Sequence, residues 1–213
     1  MDILPAFHKQ QTHATMPIKM KNWTSYLGRT STCTDIAFSN GLTGVPIATA
    51  VSHDVCVDFT TRRPCKLSTQ WVEDISNGQL TRKAPPRGFT QPMTPNDCFV
   101  YTTKVVSSGT DSNQHQNMAL HIRDCWNAGS AAACEGKLSH FDKDLVYYRV
   151  KSATFLYLGE VLIGDELNIA CWEHNQDYDT LCFTMTKRSK VVGQCQMIFF
   201  PKELGLRTVK AKL

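Results

Sequence analysis

No stretch of this chain runs apolar for the roughly 18 residues that a membrane-crossing helix needs, so no membrane span is expected. The opening MDILPAFHKQQ holds only a very short apolar stretch, so no secretory leader is expected either. The nine Cys include no C-x-x-C pair. Cys171 lies near His174 and His121 near Cys125, but neither spacing repeats as a zinc-ligand pair would, so no metal site is expected. An odd number of unpatterned thiols reads as buried or half-buried free cysteines in a reducing compartment. Strong charge of one sign is missing as well. The net charge of +4 comes from scattered basic residues, which weakly favours anionic ligands and gives no argument for nucleic acid.

What is present is the composition of an ordinary globular chain. Its 213 residues, 42% hydrophobic and 20% charged, suffice for one large domain or two small ones. Residues 1–16 are polar and read as a flexible terminus. From Met16 come three strand-like runs, MPIKMKNWTSY, STCTDIAFSN and IATAVSHDVCVDF, with Asn40-Gly41 and Thr43-Gly44 as turn chemistry between the last two. Residues 74–97 hold four Pro and little apolar content, and read as a linker or long surface loop.

Beyond it the pattern changes. Phe99 to Val106 reads as a strand, and Asn117 to about Cys134 as a helix with Met118, Ile122, Cys125, Trp126 and Gly129 on one face. Four more strands follow in DLVYYRVKSATFLY, ELNIACWEH, TLCFTMTKR and VVGQCQMIFF. Strand, helix, then four strands predicts an α+β fold, an antiparallel sheet wrapped around one long helix.

Between the strand and the helix stands DSNQHQN, Asp111 to Asn117. In an extended segment alternate residues share a side, which would turn Asp111, Asn113 and His115 toward one pocket. Asn117 suits a helix N-cap. The backbone N–H groups of Asn117, Met118 and Ala119 lie at the positive end of the helix dipole, where a developing oxyanion would be stabilised. The plain alternative is capping and loop chemistry only.

These residues carry a family resemblance. DSNQHQN resembles the D-x-N-x-H-x-N signature of the acyl-acyl-carrier-protein (acyl-ACP) thioesterases, a hot-dog fold family, with Asp111, Asn113, His115 and Asn117 on matching positions. YLGEVLIGDEL resembles that family's Y-x-x-E segment, matches Glu160 to its catalytic glutamate and implies that Glu160 lies on the next strand. VDFTTRRPCKL, with Thr61, Arg62 and Arg63, resembles the T-R-R element that closes the family's first repeat. The resemblance spans about residues 17–200. It implies a partial first hot-dog repeat over 17–75, a linker over 76–97, a complete repeat over 98–203 and a tail over 204–213. Two departures accompany it: nothing before Met16 offers the first repeat's opening strand and long helix, and the gap from Asp111 to Glu160 is lengthened around GKLSHFDKD.

The activity implied is hydrolysis of fatty acyl thioesters, on coenzyme A or a carrier protein, with no metal and no organic cofactor. Glu160 or Asp111 would activate water, or Asp111 would attack directly. His115 would polarise the thioester or shuttle a proton, and Asn113 would orient water or the imidazole. Hot-dog domains pair, so a homodimer or an intramolecular pseudo-dimer is implied. A hydratase or dehydratase acting on acyl thioesters, and a non-catalytic acyl-thioester-binding protein, remain the alternatives. The chain ends in Ala211-Lys212-Leu213, a variant of the S-K-L peroxisomal address. That address adds an import receptor as partner and turns the expected substrate toward coenzyme A esters, with the cytoplasm as the alternative compartment.

Overall fold

The computed structural model describes residues 1–9, 17–76, 80–86, 88–111 and 114–201. The chain divides into two compact units, Met1–Gly88 and Phe89–Leu213.

The first unit holds β1 (Asp2–Ile3), α1 (Pro5–Lys9), β2 (Ile18–Leu27), β3 (Ser31–Asn40), β4 (Pro46–Val55) and α2 (Thr69–Ser76). β2, β3 and β4 form an antiparallel meander, and β1 pairs with the outer side of β4. The hairpin between β3 and β4 is set by turn chemistry. Asn40 Oδ1 accepts the Leu42 and Thr43 N–H groups at 2.8 and 3.1 Å, and Gly44 takes φ +72. On β3, Asp35 holds Arg82 through two hydrogen bonds of 2.9 and 2.7 Å. Two expectations need correction. The terminal stretch contains a short strand and a short helix, tied to β4 by the Leu4 N–H to Ile47 carbonyl bond of 2.9 Å. The expected linker begins inside α2, which runs to Ser76.

The second unit holds β5 (Phe99–Lys104), α3 (Met118–Cys134), β6 (Val150–Tyr157), β7 (Glu166–Glu173), β8 (Thr180–Lys187) and β9 (Lys190–Phe199). Its strands pair antiparallel in the order β6-β9-β8-β7-β5. β8 lies centrally and is buried from Thr180 to Met185. Each large apolar side chain it buries, Phe183 above all, stabilises the fold by about 1.5–3 kcal/mol. Gln91 and Thr94, from the expected linker, dock on β8. The Gln91 amide donates to the Phe183 carbonyl at 2.8 Å, and Thr94 Oγ1 lies 3.2 Å from Thr184 Oγ1.

α3 starts at the Asn117 cap and stops at Gly136, whose φ of +66 lets the Lys137 N–H return to the Ala132 carbonyl at 2.9 Å. It packs across β7 and β5. Its buried face overlaps the expected one at Cys125 and Gly129 and otherwise differs from it. His121, Asp124, Cys125, Ala128, Gly129, Ala132 and Ala133 are buried, while Met118 is exposed and Ile122 and Trp126 are only half-buried. The small residues decide this. A Cβ at Gly129 would lie 2.6 Å from Leu145 Cδ1 and 3.3 Å from Phe183 Cζ, so the helix sits closer to the sheet than larger side chains allow.

Candidate active site

The motif before α3 is a turn followed by a short extended piece. The Asp111 N–H donates to the His115 carbonyl at 2.8 Å, and Asp111 Oδ1 accepts the His115 N–H at 3.1 Å. Gln114 occupies the left-handed region at φ +62. Alternation from Asp111 to His115 therefore does not hold, because the Asp111 carboxylate closes the turn. Asn113 lies outside the described residues.

From Gln114 onward the chain pairs with the loop after β6. The Gln116 N–H donates to the Val161 carbonyl at 2.9 Å, His115 pairs antiparallel with Leu162, and the Ile163 N–H reaches the Gln114 carbonyl at 3.3 Å. That pairing carries Glu160 to His115, with 3.8 Å from His115 Nε2 to Glu160 Oε2. Glu160 therefore stands in a loop and not on a strand as expected. The loop is fastened from behind. Lys187 Nζ donates to the Glu160 carbonyl at 2.9 Å and to Asp165 Oδ2 at 2.8 Å, and Asp165 accepts the Leu162 N–H at 2.7 Å. Burial pushes the Asp165 carboxyl up, but Lys187 and that N–H outweigh it, and the net shift is downward.

At the start of α3 two of the three expected oxyanion donors are engaged. The Asn117 N–H donates to the Gly109 carbonyl at 3.0 Å, and the Ala119 N–H to Asn117 Oδ1 at 2.9 Å. Of the three, only the Met118 N–H is taken by neither bond.

A cavity of about 270 Å³ opens beside the His115–Glu160 pair, lined also by Gln116, His121, Tyr157 and Val161. Gln116 is buried and donates its amide to Asp124 Oδ2 at 2.5 Å; Asp124 is buried too. His121 stacks on Phe155 at 5.3 Å between ring centres and meets Tyr157 edge-on at 5.2 Å. Burial pushes the His121 pKa down to about 4, so the ring is neutral, and the same burial raises the Tyr157 hydroxyl. Among the described residues no group of three His, Cys, Asp or Glu could hold a metal ion.

By sequence, no family model and no curated protein matches the chain. Solved structures do match. An acyl-ACP thioesterase from Bacteroides thetaiotaomicron superposes with a TM-score of 0.65 at 20% identity, over 86% of this chain and 68% of that one. The 12:0-ACP thioesterase from Umbellularia californica gives 0.68 at 15% identity, over 87% of this chain and 68% of that one. The chain has the hot-dog fold.

In this hot-dog fold the motif residues divide plainly. His115 and Glu160 come together, Asp111 closes the turn behind His115, and Asn117 caps α3. Ala211, Lys212 and Leu213 lie outside the described residues. Thr61, Arg62 and Arg63 form an exposed turn of the first unit, where Asp58 Oδ1 accepts the Thr61 N–H and hydroxyl at 2.7 and 2.8 Å. The sequence singled out neither Gln116 nor Asp124 as a site residue, and His121 reads there as a packing or surface residue. The signal was available: His121 and Asp124 fall three apart on the stripe that continues through Cys125 and Ala128, the small-residue face of the hot-dog helix.

Proposed function

We propose that the chain hydrolyses acyl thioesters, with His115 and Glu160 as the reacting pair. The observation that carries this reading is the 3.8 Å approach of His115 Nε2 to Glu160 Oε2 at the cavity beside the start of α3. The fold shared with two acyl-ACP thioesterases supports it.

Glu160 takes a proton from water as the water oxygen attacks the carbonyl carbon. The carbonyl oxygen becomes an oxyanion, met by the Met118 N–H and the positive end of the α3 dipole. Collapse breaks the C–S bond. The proton taken by Glu160 passes through His115 to the leaving sulfur, so one water is consumed and a free acid and a thiol are formed. Glu160 is the better-placed base, because one Asp111 oxygen already holds the His115 N–H. Asp111 then positions His115, and Asn113 by resemblance orients the water.

The finer reading is of a partial hot-dog repeat in the first unit and a complete one in the second. The long five-stranded sheet with its 17-residue helix in the second unit supports it, beside the three long strands and short helices of the first. The same fold supports the proposal that the chain pairs as a homodimer or an intramolecular pseudo-dimer. The terminal Ala211-Lys212-Leu213 supports peroxisomal import and coenzyme A esters as substrate. A reporter carrying the last residues of this chain tests the address: import that survives removal of Leu213 counts against it.

Thiol release from a panel of acyl-CoA and acyl-ACP esters tests the activity. Turnover by the intact chain, lost in Glu160→Gln, is the expected result. A folded protein that releases no thiol from any ester overturns the reading.

A further inference from the structure

Two buried polar atoms beside the reacting pair have no hydrogen-bond partner among the described residues, Oε1 of Gln116 and Nδ1 of His121. Gln116 is 6% exposed and His121 2%. Both line the cavity that His115 and Glu160 share.

The orientation of the Gln116 amide is not arbitrary. The NH₂ end of Gln116 donates to Asp124 Oδ2, while the Arg123 guanidinium lies 3.4 Å from Asp124 Oδ1. Oε1 is then the end left over, and it needs a donor. Phe155 and Tyr157 hold the plane of the His121 ring on two sides. Both atoms are already shut off from bulk water, and a wholly aliphatic acyl chain in this cavity would pair neither. A hydroxyl donates to Gln116 Oε1 and can accept from a protonated Nδ1. An amide N–H bonded to Gln116 has no lone pair with which to accept from that protonated Nδ1, so of the two only a hydroxyl pairs both atoms at once.

We propose that Gln116 and His121 form a hydroxyl-binding subsite, and that the preferred substrates are thioesters of hydroxylated acyl groups. As a statement about turnover this rests on the thioesterase reading; as a statement about binding it stands alone.

The test uses pairs of coenzyme A derivatives of equal acyl length, differing only in a hydroxyl on the carbons nearest the carbonyl. One set are cleavable esters, followed by thiol release. The other are non-hydrolysable thioethers, followed by calorimetry. The wild-type chain is expected to favour at least one hydroxylated member by about tenfold or more in both kcat/KM and Kd. His121→Phe, which keeps the ring packing, is expected to lower that ratio at least about threefold. Gln116→Met combined with Asp124→Leu, which removes the amide without leaving a carboxylate buried alone, is expected to bring it near one. Circular dichroism reports whether each variant folds, and the wild-type comparison needs no variant.

Esters cleaved without preference for any hydroxyl overturn the subsite and leave the hydrolase reading standing. Thioethers bound with the preference, while no ester is cleaved, uphold the subsite and overturn the hydrolase. A further pair compares a plain acyl group on coenzyme A with the same group on an amide-free thiol. If discrimination follows only that pair, the donor is an amide of the thiol arm and the hydroxyl proposal falls.

Discussion

His115 and Glu160 face each other at 3.8 Å although neither stands on one of the helices or long strands; a short backbone pairing between residues 114–116 and 161–163 brings them together, and Lys187 at the end of β8 fastens the Glu160 carbonyl. Both side chains remain reachable by solvent, 26% and 54% exposed. General acid–base catalysis, the role proposed for them, is worth about 10²–10⁴ in rate. Glu160→Gln and His115→Ala are each expected to lower kcat/KM for acyl thioesters by at least about 10² with an unchanged circular dichroism spectrum. Wild-type rates in both variants would remove the pair from the chemistry.

His121 links stability to pH. Burial holds its folded pKa at about 4, below the ordinary 6.5. Between those values the unfolded chain binds a proton that the folded chain does not. Stability is therefore full above pH 6.5 and falls as pH drops toward 4, by on the order of 3 kcal/mol. Urea unfolding of the wild type and of His121→Phe across this window checks it. The variant is expected to lose less stability on acidification, and parallel curves would sink the assignment.

Gly129 sets how closely α3 approaches the sheet. Gly129→Val places its side chain against Leu145, Phe183 and Leu181, all fully buried. Overpacking there is expected to cost about 1–3 kcal/mol. Chemical denaturation measures it, and an unchanged midpoint would mean the helix relaxes freely.

The Asp35–Arg82 pair fastens the segment after α2 to β3. The Arg82 hydrogen bond holds the Asp35 carboxyl below its usual range. Arg82→Met is expected to destabilise the chain by about 1–3 kcal/mol at neutral pH. The wild-type advantage is present above the ordinary carboxylate value of 3.8 and fades as pH falls through the lowered folded value. Thermal melts at pH 7 and pH 3 check both halves; an advantage that persists unchanged at pH 3 would point to packing rather than charge.

The long strands were legible because each carries its own pattern and turn chemistry, as Asn40-Gly41 does between β3 and β4. β1, α1 and α2 were not. They are 2, 5 and 8 residues long, too short for a period to show, and they exist by packing on β4 and β2. α3 was legible as a helix, and Cys125 and Gly129 of its expected face are buried, but the large apolar residues of that face are not fully so. Met118 and Trp126 dominate a hydrophobic count, whereas Ala128, Gly129 and Ala132 dominate the packing.

What the sequence determined by itself is therefore local: the long strands and the cap at Asn117. The tertiary structure alone decided that Asp111 closes a turn, that Glu160 meets His115 from a loop, and that His121 and Asp124 point inward with Gln116. The reason is physical. Periodicity and turn chemistry act over a few neighbouring residues, while the bonds between Gln116 and Val161 and the fit of Gly129 against Leu145 join segments that only folding brings together.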